Sequence, residues 1–268
     1  MTTTTSRLVG LQKTSMIDYP GKLAAVLFFP GCNLRCPYCH NAPLAAGSTE
    51  NMVTLDEAVA YLDRRKDDLD GVVITGGEPL LQEGIFDLIQ QLQRMGYSVK
   101  LDTNGTVRYF WQMIKNPGDG PVTICPDYVA IDLKGLPDDV RGYEKEPFTY
   151  EGNLAALATA HKTFPFPESI RHVVKGEVRT TVHKAATPDL RMLKEAWKDV
   201  IDGLPWYLQQ YRKCEGFDPS LQNEPTYSDE ELADIAIGVG AHIRGVRLDL
   251  IEYVESKLEE KQDESKNS

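Results

Sequence analysis

Short runs of β-branched and aromatic residues alternate along this chain with longer stretches of helical period, and that alternation restricts the possible folds more than any other feature. Ala24 to Phe29, Gly71 to Thr75, Ser98 to Thr103, Tyr128 to Lys134, Glu177 to Val182 and Trp206 to Tyr211 read as strands. Between them the apolar spacing predicts helices over Ile85 to Met95, Val107 to Lys115, Leu154 to Phe164 and Leu190 to Ile201. Thr54 with Glu57, and Ser228 with Glu231 ahead of Leu232 to Ile237, are capping boxes that open two more, and Pro188 suits a first helical turn. Repetition of this kind marks βα units and a parallel sheet, so the fold class is α/β. Right-handed crossovers arrange such units as an open doubly wound sheet or as a full or partial barrel. In either case ligands gather where the strands end.

Of the 268 residues 41% are hydrophobic, enough to fill a core that a disordered chain could not. One domain over residues 1–254 is expected, followed by a charged tail, 255–268, that frays from solvated helix into disorder. Lys and Arg number 29 against 40 Asp and Glu, a formal charge of −11, and no basic run is present. Nucleic acid and anionic membrane both require clustered cations, so the expected partner is a protein or a small molecule. No stretch reaches the roughly 18–20 apolar residues of a membrane span. Thr2 to Thr5 lack the basic-then-apolar layout of a signal peptide, and the expected compartment is the cytoplasm. Five cysteines with three crowded together read, in a reducing compartment, as metal binding or catalysis. Cys125 and Cys214 stand alone and read as ordinary small residues, and His161, His172, His183 and His242 as structural or surface groups.

The strand ends carry the chemistry. After the first comes Pro30-Gly31-Cys32-Asn33-Leu34-Arg35-Cys36-Pro37-Tyr38-Cys39-His40-Asn41, with three thiols on one tight loop. A structural zinc site wants four ligands, and His40, abutting Cys39, would be a strained fourth. An iron–sulfur cluster held by three cysteines leaves one iron open for another ligand. After the second strand comes Thr75-Gly76-Gly77-Glu78-Pro79, a glycine pair that permits close approach to the backbone and a carboxylate beside it. The third and fourth ends add Leu101-Asp102-Thr103-Asn104-Gly105 and Ile131-Asp132-Leu133-Lys134. Arg179, in the fifth strand, offers a guanidinium suited to paired oxygens.

The cysteine loop resembles the C-x3-C-x2-C motif of the radical S-adenosylmethionine (SAM) superfamily. The resemblance implies a partial (βα)6 barrel in which Cys32, Cys36 and Cys39 hold one 4Fe-4S cluster and SAM chelates the fourth iron. Reduction would then cleave SAM to methionine and a 5′-deoxyadenosyl radical, which abstracts a hydrogen atom. On the same resemblance Tyr38 lies against the adenine, and Gly76, Gly77 and Glu78 take up the SAM amino group. Asp102, Asp132 and Lys134, with the Cys-His-Asn ending of the loop, resemble the activating enzymes of glycyl radical enzymes. There the two aspartates can hold a monovalent cation against the SAM carboxylate, and Lys134 would pair ribose or carboxylate oxygens.

Asp18-Tyr19-Pro20-Gly21 resembles the Asp-x-Pro-Gly segment of the same activases, which assigns Asp18 to the partner's glycine loop, and a short chain path places it at the rim of the SAM site. Leu8 through Asn41 most resembles the anaerobic ribonucleoside-triphosphate reductase activating proteins. The resemblance implies a radical SAM oxidoreductase that makes a glycyl radical on that partner, supplied with electrons by a donor such as flavodoxin or ferredoxin. Two features depart from relatives: no ferredoxin-like cysteine insert comes after the loop, and Gln209 and Gln210 stand where some place a His near SAM. The rival readings are a radical SAM enzyme acting on a small molecule or another peptide, and a non-catalytic iron–sulfur carrier or zinc-binding module.

Overall fold

A computed structural model describes residues 7–107, 125–141, 149–163, 175–214 and 216–266. Its strands are β1 (Leu8–Ser15), β2 (Ala24–Phe29), β3 (Val53–Thr54), β4 (Gly71–Gly76), β5 (Ser98–Thr103), β6 (Tyr128–Asp132), β7 (Lys175–Val182), β8 (Trp206–Gln210) and β9 (His242–Arg244). Among the described residues they form one nine-stranded sheet in the order β3-β1-β2-β4-β5-β6-β7-β8-β9. From β2 to β9 every neighbouring pair is parallel, while β1 runs antiparallel to both β2 and β3. The six expected strands are thus the middle of the sheet, and β3 and β9 are edges that do not pair with each other. The expected partial barrel is the observed architecture, extended by one parallel strand and an antiparallel flap.

The helices form for local reasons. In Leu55–Asp63 the Thr54 side chain accepts from Glu57 N while Glu57 accepts from Thr54 N, and Ser228 with Glu231 does the same for Asp229–Val239. Ile85–Arg94 and Leu190–Ile201 run as expected. Pro188 lies outside its helix, because the Asp189 carboxylate caps it by accepting from Arg191 and Met192 N–H. Thr149–Thr163 begins five residues ahead of the expected Leu154, held there by Tyr150, whose ring packs edge-on against Trp197. The helix expected over Val107 to Lys115 falls, beyond Val107, outside the described residues, as does His172.

The chain's end differs from the expected fraying tail. One helix runs from Leu248 through Lys266, across the expected boundary at residue 254. Val254 and Leu258, four apart and so on one helical face, are both buried in the core, and Lys261 Nζ donates to Ile237 O at 2.7 Å.

Alternation along the strands sorts the side chains onto two faces. One face, with Leu27, Ile74, Leu101, Ile131, Val178 and Leu208, meets the helices in a continuous core. The inner face is apolar at β2 and β4, where Ala24, Val26 and Val73 pack with Tyr19, and charged from β5 onward. Lys100 and Asp102, then Asp132, then Glu177 and Arg179, then Arg244 occupy it.

Candidate active site

The cysteine loop leaves the C-terminal end of β2 and turns tightly, with Cys39 N donating to Cys36 O at 3.1 Å. All three thiols are half-buried, and burial pushes those of Cys32 and Cys39 up. Leu34 N and Asn104 Nδ2 both point at Cys32 Sγ, at 3.4 and 3.7 Å. Asn104 Nδ2 also donates to Asn33 Oδ1 at 2.9 Å, and Asn33 Nδ2 donates to Thr106 Oγ1 at 2.7 Å, so the end of β5 braces the loop. A second brace comes after β8. His40 Nε2 accepts from Arg212 N at 3.2 Å, Asp218 N donates to Pro37 O at 3.1 Å, and Cys214 Sγ lies 3.6 Å from Cys39 O. Tyr38 is only 7% exposed, packed with Tyr211 and Leu221, so an adenine would meet little more than its rim.

The glycine pair serves the loop before any ligand. Gly77 N donates to Phe29 O at 2.8 Å and Glu78 N to Gly31 O at 2.9 Å, stitching the end of β4 onto the cysteine loop. A Cβ on Gly77 would stand 2.0 Å from Gly31 O, and one on Gly76, whose φ is +127°, 2.3 Å from Phe29 N. The close approach inferred from sequence is therefore made by the chain's own backbone. Glu78 is fully buried and already accepts three bonds: Leu80 N at 3.0 Å and Thr103 Oγ1 at 2.8 Å on one oxygen, Asn104 N at 2.7 Å on the other. Burial pushes its carboxyl up to about 7, against those hydrogen bonds. A carboxylate offers about four acceptor sites, which leaves one for a ligand.

On the inner face, Arg179 bridges the two aspartates. Its Nη1 lies 3.0 Å from Asp102 Oδ2, and its Nε and Nη2 each lie 3.1 Å from Asp132 Oδ1. Lys134 Nζ reaches Asp132 Oδ2 at 2.9 Å, and Lys100 Nζ donates to Asp102 Oδ1. Burial alone would raise both carboxyls. The facing cations outweigh it, Arg179 and Lys100 at Asp102, Lys134 and Arg179 at Asp132, and hold both below the usual carboxylate range. Burial pulls Lys100 down, with Asp102 opposing, whereas at Lys134 Asp132 outweighs burial and holds it well up. Lys100 went unnoticed in the sequence, although a lysine two residues from Asp102 in one strand must share its face.

A model of the radical SAM superfamily matches residues 26–186, more than half of the chain. The chain belongs to the radical SAM superfamily. A protein of Methanocaldococcus jannaschii named as a glycyl-radical enzyme activating enzyme is 38% identical over 231 residues, 84% of this chain and 88% of its own. The pyruvate formate-lyase 1-activating enzyme of Escherichia coli K12 is 31% identical over 139 residues, 50% of this chain and 54% of its own. Of solved structures, Streptococcus suis SuiB bound to SAM superposes with a TM-score of 0.51 at 15% identity, covering 80% of this chain and 48% of that one. At that identity the likeness is one of fold.

This radical SAM protein is an enzyme, and its superfamily works with a 4Fe-4S cluster and SAM. The donor set fits the cluster. Among the described residues no three His, Cys, Asp or Glu stand close enough to share a single metal ion. A cubane makes no such demand, since each of the three thiolates takes its own iron. The half-buried sulfurs, with N–H donors aimed at Cys32, suit that role.

Asp18 does not lie at the rim that a short chain path suggests. The β1–β2 hairpin lies at the N-terminal end of the parallel strands, where Tyr19 packs on Gly71 and Tyr128. The six residues of β2, roughly 20 Å of strand, separate it from the cysteine loop. Its carboxylate accepts from Ser15 Oγ, which in turn accepts from Ile17 and Asp18 N–H at 3.2 Å. Closeness in sequence is not closeness in space here, because a strand carries the chain away from its own hairpin. Gln209 shares the inner face of β8, while Gln210 donates to Tyr227 O at 2.6 Å on the other. Among the described residues no helix is long and apolar enough to cross a membrane.

Proposed function

We propose that this radical SAM enzyme activates a glycyl radical enzyme, abstracting a hydrogen from a glycine of anaerobic ribonucleoside-triphosphate reductase. The observation that carries the activase reading is the relative covering 84% of the chain, which is named as a glycyl-radical enzyme activating enzyme. The choice of reductase as partner rests on the resemblance of Leu8 through Asn41 to its activating proteins. In this reading Cys32, Cys36 and Cys39 hold the cluster and leave one iron for SAM. When bound, the reduced cluster and SAM supply the radical that removes the hydrogen atom. Gly76 and Gly77 backbone and the remaining acceptor site of Glu78 take the SAM amino group, and Lys134 and Arg179 face its carboxylate and ribose oxygens. Arg179 and Lys134, held by Asp102 and Asp132, need no reorganisation as SAM arrives. A one-electron donor such as flavodoxin or ferredoxin completes the system.

The test is anaerobic. Reconstituted protein, SAM and a reductant are incubated with anaerobic ribonucleotide reductase, and electron paramagnetic resonance is read for a glycyl doublet. A doublet is expected. SAM cleavage that yields a doublet only on another glycyl radical enzyme moves the partner, and cleavage with no doublet on any of them sinks the activase reading.

A further inference from the structure

The resemblance leads to the expectation of a monovalent cation between Asp102 and Asp132, and the residues present do not fit one. All four oxygens of the two carboxylates already face a nitrogen cation: Asp102 Oδ1 faces Lys100, Asp102 Oδ2 and Asp132 Oδ1 face Arg179, and Asp132 Oδ2 faces Lys134. A metal ion between the two carboxylates would have to displace the guanidinium that stands there or sit against its like charge. The backbone explains how one side chain spans the gap. Arg179 lies directly across from Asp132 in the β6–β7 register, and Asp102 lies across from Ala130 on the far side of β6. Ala130, on the same face of β6 as Asp132, is small enough for the guanidinium to pass over it to β5.

We propose that Arg179 replaces the cation: held between Asp102 and Asp132, its guanidinium is the fixed positive charge that meets the SAM carboxylate, and this enzyme binds SAM without any monovalent metal ion. The proposal rests on the placement of SAM under Proposed function. Arg179 is then a cofactor-binding residue whose charge is built into the fold, where a bound ion would have to be recruited from solution.

The experiment compares SAM binding to cluster-loaded protein in KCl, NaCl and tetramethylammonium chloride at one ionic strength, the last cation being too large to enter between the carboxylates. Wild-type affinity is expected to agree within about twofold across the three salts. Arg179→Ala opens the position, so its affinity should fall about tenfold or more in tetramethylammonium chloride and recover in KCl or NaCl. Arg179→Gln, which keeps most of the bulk, serves where the alanine variant does not fold. Melting of the cluster-loaded, SAM-free protein supplies a second readout: KCl should raise the midpoint of the variant and not of the wild type. Saturable strengthening of wild-type binding by K⁺ or Na⁺, or a wild-type midpoint that rises with either, overturns the proposal. So does a variant that neither ion rescues. Were the wild type to bind no SAM in any salt, the proposed function would fall, and the melting comparison would still decide what holds the two aspartates together.

Discussion

A single buried carboxylate ties the site together. Glu78 accepts from both the turn after β4 and the end of β5, and Asn104, which it holds, reaches Cys32 and Asn33. Burial pushes it up to about 7 from an ordinary value of 4.5, so between those two pH values the folded chain keeps a proton that the unfolded chain has lost. Its contribution therefore makes the fold less stable as pH rises through that window. We expect the stability of SAM-free protein to fall from pH 5 to 7 relative to Glu78→Gln, by about 3 kcal/mol at most. Denaturation curves at several pH values read this directly, and parallel profiles for the two proteins would refute it. The glutamine also turns an amide N–H₂ toward an N–H donor, a cost that offsets both ends of the profile alike. At the cysteines the expectation is simpler: Cys36→Ala, purified and reconstituted anaerobically, should lose the iron–sulfur absorbance and SAM cleavage together, and full iron loading would count against the ligand assignment.

At the scale of elements, the cysteine loop is short of regular structure and is held by its neighbours. Gly77 presses it from β4, Asn104 and Thr106 from β5, and the segment after β8 from the other side, where a Cβ on Gly216 would stand 2.3 Å from Pro37 O. Phe217 adds its ring beneath the Arg35 guanidinium, 5.2 Å away. Gly77→Ala and Gly216→Ala each force backbone apart, at about 3 kcal/mol by analogy with overpacked cores. The two should differ in kind. Gly77→Ala disturbs both the cluster loop and the fold, whereas Gly216→Ala loosens the loop alone. Iron content after reconstitution should fall in both, while the melting midpoint should fall chiefly in the first; a Gly216→Ala protein with full, stable iron loading would show that the segment after β8 braces nothing.

For the whole molecule, the last helix is part of the domain. Leu258 is buried in the shared core, and Glu255 and Lys261 reach back to His242 and Ile237. Removing residues 255–268 should destabilise the protein rather than trim a loose end, and Leu258→Ala alone should cost about 2 kcal/mol. Chemical denaturation of the full-length and shortened chains measures this, and equal stabilities would restore the boundary at residue 254. The inner face shows the same dependence on distant parts: Glu177 is buried against Arg244 of the final strand, with the Tyr128 hydroxyl on the same carboxylate.

Six central strands, both capping boxes and the residues at four strand ends were legible in the chain, because strand and helix periods and cap chemistry act over a few neighbouring residues. So was the trio of crowded cysteines, since three thiols on one loop need no long-range contact to be close together. The β1 flap, β3 and β9 were not, because edge strands are short and take their definition from the partner they pair with. The packing of the last helix on the core was not legible although Ile251, Val254 and Leu258 recur at helical spacing, its burial being set by a surface that Ile237 and Ile243 belong to. Side-chain partners distant in sequence were decided by the tertiary structure alone. Sequence placed Asp102, Asp132 and Arg179 near one face, but only the register of three parallel strands brings one guanidinium within 3.1 Å of both carboxylates, and only the direction of β2 carries Asp18 to the opposite end of the barrel from the cysteines.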